Sequence, residues 1–136
     1  MREILFRGKR DDTGEWIEGD LRQDKDIGAS YISGWNYYAD CAGLEREPFE
    51  HEVIPESVGQ YTGLTDKNGT KIFEGDIVRW TDSAGTTNNF VVIWDNHKAM
   101  FYLHSCGYSV DLCDCCAKEL TVIGNTYDNP ELLKGE

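Results

Sequence analysis

Cys106, Cys113, Cys115 and Cys116, with His97 and His104 nearby, form the one constellation of metal-ligand residue types in this sequence. A structural zinc needs four ligands that reach tetrahedral positions from two turns, commonly through a C-x₂-C pair at each end. The run C-x-C-C from Cys113 to Cys116 supplies a single crowded knuckle with no second one to match it, so no metal is expected and the thiols read as buried or inert. Nucleophilic catalysis would need a Cys or Ser with a base in hydrogen-bond reach. His51, His97 and His104 are the three histidines, and none sits in a recognisable local motif. No residue is assigned a catalytic or cofactor-binding role, no cofactor is expected, and the chain reads as non-enzymatic.

Two carboxylate pairs, Glu18 with Asp20 and Glu74 with Asp76, have the residue types of acid/base or cation sites. In each the aspartate follows a glycine, and a corner residue whose oxygen accepts a backbone N–H is the simpler reading. Asp66-Lys67-Asn68-Gly69 is likewise a turn and not a calcium loop, because the glycine and the distal glutamate fall at the wrong offsets. There is no Gly-rich phosphate loop.

The elements that would position these residues are short strands. Period-two alternation and turn signals dominate, and no apolar stripe of helical spacing is sustained, so helix should be scarce. Residues 3 to 22 read as a hairpin turning at Asp11-Asp12-Thr13-Gly14. Short strands at Ala29 to Ile32 and near Tyr37 follow, then a loop from Cys41 to Pro48. Tyr31, Trp35, Tyr37 and Tyr38 cluster here. Half-buried strands are enriched in such residues, so the group reads as packing and no site is placed on it. Pro55, Gly59 and Gly63 mark the best boundary, dividing the chain into residues 1–58 and 59–136.

Beyond the boundary, Asn68-Gly69 predicts a tight turn with φ above zero at both positions. Strands are expected from Ile77 to Trp80, Phe90 to Trp94, Lys98 to His104 and Leu120 to Ile123, with one helical turn between Leu112 and Lys118. Together they suggest a small barrel or sandwich. The tail from Asn129 to Glu136 should pack Leu132 or Leu133 and then fray. Gly14 to Leu21 echoes Gly69 to Ile77 if one residue is inserted, which predicts a shared device: a Gly turn, an apolar strand residue and a Gly-Asp corner.

Composition narrows the function classes. The 136 residues suffice for a core without disulfide or metal staples. Thirteen Lys and Arg against 25 Asp and Glu give a net charge of -12, with 7 basic against 14 acidic residues up to Val58 and 6 against 11 after it. Neither part carries the clustered cations that grip a phosphate backbone, so nucleic acid is not expected as a partner. The first residues lack the apolar run of a secretory signal, and Phe90 to Trp94, the longest apolar stretch, is far too short to span a bilayer. Five cysteines, an odd number, fit free thiols in a reducing compartment, so a cytoplasmic location is expected.

The stretch from Pro55 to Val78, PESVGQYTGLTDKNGTKIFEGDIV, resembles the signature of the YopX-like proteins of bacteriophages and prophages. The opening Phe6-Arg7-Gly8-Lys9-Arg10 with Gly14-Glu15-Trp16 agrees with it, as does the closing run from Val122 to Leu133. The resemblance implies a mainly β protein of a phage genome: an irregular β-rich N-terminal part, then a C-terminal SH3-like barrel. It brings no catalytic residues, the family being one of unknown function. The cysteine-rich insert around Cys113 departs from the family's usual pattern.

The leading expectation is therefore a phage accessory protein of the bacterial host's cytoplasm that binds a phage or host protein, with homo-oligomerisation through a strand edge possible. An acidic inhibitor mimicking nucleic acid is the first alternative. A barrel that stacks nucleobases on Trp80, Trp94 and Tyr102 is the second, and the missing basic groove weighs against it.

Overall fold

The computed structural model describes residues 2–133 and is mainly β, with antiparallel pairing throughout and only short helical turns. Two compact units divide it, Ile4–Gln60 and a second that takes in residues 2–3 and the chain from Tyr61 onward.

In the first unit β1 (Phe6–Lys9), β2 (Trp16–Asp24), β3 (Ala29–Asp40) and β4 (Gly43–Val53) run as a meander in the order β4-β3-β2-β1. The first two residues of β5 (Gly59–Thr65) pair on the other side of β1. The expected hairpin at residues 3 to 22 is present, with Phe6 opposite Gly19 and Lys9 opposite Trp16. Ile32 and Val53 are fully buried, and Val53 packs against the Cα of Gly8. Ser57, in a 3-10 turn (Pro55–Ser57), accepts the Lys9 N–H at 2.8 Å and donates to the Ile54 carbonyl at 2.6 Å, which ties the end of this unit to β1.

Two expectations for this unit need correction. Gly19-Asp20 is no corner, because β2 runs straight through it. Glycine is required there by close approach: a Cβ at Gly19 would collide with the Ser33 carbonyl oxygen of β3. The region from Ala29 to Pro48 does not break into short strands and a loop. β3 spans 12 residues and β4 11, and they pair in unbroken register from Ser30 opposite Val53 to Asp40 opposite Gly43.

In the second unit β6 (Lys71–Phe73) pairs with the later part of β5. β7 (Asp76–Thr81), β8 (Thr87–Asp95), β9 (Met100–Ser105), β10 (Tyr108–Asp111) and β11 (Leu120–Asn125) form a sheet in the order β10-β9-β8-β7-β11. Helix α1 (Asp114–Ala117) precedes β11, and a 3-10 turn (Pro130–Leu133) follows it. Ile72, Val78, Phe90, Val92, Leu103, Ala117 and Leu120 form the buried core.

The expected SH3-like barrel does not close. β10 and β11 are the two edges of the sheet, and no ladder joins them among the described residues. The link between them carries α1, which buries Ala117 in the core. The Asn68-Gly69 turn also differs from expectation, since only Gly69 has positive φ, at 81°. The Asp66 side chain dictates this shape: its Oδ1 accepts the N–H groups of Asn68 at 2.8 Å and Thr70 at 2.9 Å, and Gly69 N–H donates to the Asp66 carbonyl. The second Gly-Asp does form a corner, with Gly75 at φ 90° and Asp76 Oδ2 accepting the Phe73 N–H at 2.7 Å. In the tail, the Leu132 carbonyl accepts a hydrogen bond from Asn89 Nδ2, while residues 134–136 of the expected fraying end lie outside the described residues.

Candidate functional site

The outer half of the β3–β4 hairpin is an arm: from Trp35 round to Pro48 every residue is exposed. Directly opposed residues of antiparallel strands share a face. The register therefore gathers Trp35, Tyr37 and Ala39 with Pro48, Arg46 and Leu44 on one face, and Asn36, Tyr38 and Asp40 with Glu47, Glu45 and Gly43 on the other. One face is a strip of apolar groups whose single charge, Arg46, lies 4.0 Å from the centre of the Trp35 ring. The other face holds the arm's carboxylates.

Nearer the body β3 buries Ser30 and Ile32, which stand on the carboxylate side of this alternation, and Ala29 on the other side. The apolar strip is thus on the side of the ribbon opposite Ile32 and Val53, the fully buried residues of this unit. Its exposure is large: Leu44 75%, Tyr37 64% and Trp35 46%. The packing role expected for Trp35, Tyr37 and Tyr38 is accordingly overturned, while Tyr31 is half-buried with the Arg22 guanidinium 4.2 Å from its ring centre. At the arm's base the Phe49 ring covers Gly34 and stacks on His51, and a groove of about 490 Å³ runs past Asp20, Ser33, Trp35, Pro48 and Glu50.

The second candidate is the cysteine turn. Cys113 precedes α1 in an extended conformation, with Cys115 and Cys116 inside the helical turn. Sγ of Cys113 lies 3.0 Å from Sγ of Cys116 and 3.3 Å from Sγ of Cys115. Of the thiols expected to be buried or inert, Cys106, Cys113 and Cys115 are exposed and Cys116 is half-buried, so burial does not hold. With both thiols protonated Cys113 donates to Cys116, and when Cys113 ionises Cys116 must donate instead. That donation from the Cys116 thiol, reinforced by its backbone N–H and by the Cys115 thiol, holds the Cys113 thiol below its ordinary range. Cys116 is pushed up to about 11, first by its hydrogen bond to Cys113, then by burial and by the charge of its neighbours.

Among the described residues these three thiols are the one group of metal-ligating types whose donor atoms converge. Cys106, His97 and His104 do not join them. Three donors do not complete the tetrahedral set of a structural zinc.

The other sequence candidates are dispersed. His104 Nδ1 and Ser109 Oγ are 3.2 Å apart, but this is an exposed cross-strand pair, and no carboxyl group hydrogen-bonds the ring among the described residues. Trp94 meets Phe101 edge-on on the side of the sheet that carries Phe90 and Trp80. Tyr102, opposite Ile93, points to the other side, so Trp80, Trp94 and Tyr102 do not make one stacking platform. Among the described residues no helix is long and apolar enough to cross a membrane.

Sequence reading missed both candidates for traceable reasons. On the arm, odd-numbered Trp35 and Tyr37 already alternate with polar Asn36, a period-two signal hidden by the Pro and Glu of the returning strand. In the turn, C-x-C-C also contains C-x-x-C between Cys113 and Cys116, a redox spacing masked by the zinc question.

Comparison with known proteins agrees with the fold. The crystal structure of protein EF1440 from Enterococcus faecalis is similar, with a TM-score of 0.66 and 23% sequence identity over 98% of this chain and 100% of that one. No curated protein matches. A family model described as YopX protein matches residues 5–134, nearly the whole length. On that match the chain belongs to the YopX protein family.

Proposed function

We propose that this protein is an assembly module, encoded by a phage or prophage, that docks by a non-enzymatic contact through the apolar face of its β3–β4 arm. The observation that carries this reading is the exposed strip of Trp35, Tyr37, Ala39, Leu44, Arg46 and Pro48. A two-stranded ribbon bare on both faces is marginal in water. An arm of this kind gains stability when its apolar face is covered.

The occupant is a second copy of this chain. Two molecules of net charge -12 repel unless they meet at a surface free of carboxylates, and the strip is such a surface. Its one cation is already stacked on an aromatic ring, and a two-fold axis would lay strip on strip. Pairing along the outer edge of β4 is less favourable, because Pro48 offers that edge no N–H and Glu45, Glu47, Glu50 and Glu52 crowd the strand.

Light scattering on the full chain at micromolar concentration tests the reading. A dimer that becomes a monomer in the Trp35→Ser, Tyr37→Ser, Leu44→Ser triple variant, with an unchanged melting temperature of the body, is the expected result. A wild-type protein that remains monomeric, or a dimer untouched by the triple variant, overturns it. A different protein captured by the wild type and released by the same variant would keep the arm and replace the occupant.

A further inference from the structure

The cysteine turn is independent of the arm and is arranged for chemistry of its own. Cys113 and Cys116 have the C-x-x-C spacing, with their sulfurs 3.0 Å apart. A disulfide needs about 2.05 Å, so a small side-chain rotation in an exposed turn brings them to bonding distance. Cys113, the outer thiol, is exposed, whereas Cys116 is half-buried behind it. Exchange requires that asymmetry: an accessible sulfur to attack and a protected one to resolve. Cys115 Sγ, 3.3 Å from Cys113, stands by as a third thiol.

We propose that this turn is a thiol–disulfide exchange site whose substrate class is a low-molecular-weight disulfide. Cys113 thiolate attacks one sulfur of the substrate, forming a mixed disulfide and expelling one thiolate. Cys116 then loses its proton to solvent and attacks Cys113 Sγ. The internal Cys113–Cys116 bond forms and the second substrate thiolate leaves. Two electrons pass from the protein dithiol to the substrate disulfide, which is released as two thiols. The hydrogen-bonding and charge relations that favour ionisation of Cys113 over Cys116 set the order of attack. Cys41 and Cys106 are exposed but lack a thiol partner among the described residues, so they serve as internal controls.

The reduced full chain is incubated without oxygen with oxidised glutathione, then analysed by intact mass and peptide mapping. The expected product has lost two hydrogens, carries a Cys113–Cys116 link and has released two equivalents of glutathione. Cys113 should react several-fold faster than Cys41, because a larger thiolate fraction speeds the attack. Cys113→Ser should abolish the internal link, and Cys115→Ser with Cys116→Ser should trap one glutathione on Cys113. Glutathione spread evenly over Cys41, Cys106 and Cys113 with no internal link overturns the proposal. So does stoichiometric metal on the purified chain that blocks these thiols until it is removed.

Discussion

Asp66 Oδ2 accepts the backbone N–H of Val122 at 2.9 Å, a bond across 56 residues that fastens the β5–β6 turn to β11. The same carboxyl group holds Asn68 and Thr70 through Oδ1 and is itself buried. One side chain thus shapes a turn and anchors an edge strand. Asp66→Ala leaves three backbone donors without this acceptor and should cost about 2–3 kcal/mol. Asp66→Asn, which keeps one accepting oxygen, should cost less. Denaturant unfolding of both variants checks the order, and equal losses would show that the turn alone matters.

At Gly19 the constraint is space. A methyl group there meets the Ser33 carbonyl oxygen of β3, which is backbone and cannot rotate away. Gly19→Ala should therefore separate β2 from β3 and destabilise the first unit by about 1–3 kcal/mol, the usual range for overpacking. Hydrogen exchange should quicken from Asp20 to Asp24 and from Ala29 to Ser33, the residues of that ladder. An unchanged exchange pattern would mean that the strands can part at no cost.

These two cases show what was legible in the sequence. Turn positions and strand alternation were readable because Gly and Asp act locally. Gly14, Gly69 and Gly75 all have positive φ, and β6, β7, β8, β9 and β11 fall near their expected places, whereas β10 was not expected. Two features set by distant partners were hidden. Val122 gives Asp66 its second role, and Ser33 makes Gly19 indispensable within a straight strand. The arm was hidden for a different reason. Its returning strand, Gly43 to Pro48, has no buried position to impose an alternation, so only the register with β3 makes it a strand.

The assignment of faces in the second sheet makes its own prediction. Phe90 and Trp94 alternate onto the same side of β8, but Phe90 is 1% exposed and Trp94 38%. Phe90→Ala should cost about 3–5 kcal/mol through the cavity it leaves among Val78, Val92 and Leu103. Trp94→Ala, losing an edge-on contact with Phe101, should cost about 0.5–1.5 kcal/mol. Thermal melts resolve the difference. Similar losses for the two would place Trp94 in the core.

The cysteine turn should also show a pH signature separate from its redox products. A thiolate alkylates and a thiol does not, so a group whose ionisation is eased reacts at lower pH than an ordinary cysteine. Cys113 is such a group, because the Cys116 thiol and N–H and the Cys115 thiol all donate to its thiolate. Its alkylation by iodoacetamide should rise at lower pH than that of exposed Cys41. Cys116 is displaced the other way, to about 11, chiefly because it is the donor in that bond. It should stay unmodified through the range in which Cys113 reacts. Cys113→Ser removes the thiolate that Cys116 serves, so in that variant Cys116 should alkylate at distinctly lower pH. Site-resolved mass spectrometry reads all three profiles. Parallel profiles for Cys113 and Cys41, or a Cys116 profile indifferent to Cys113→Ser, would show that the two sulfurs titrate independently despite standing 3.0 Å apart.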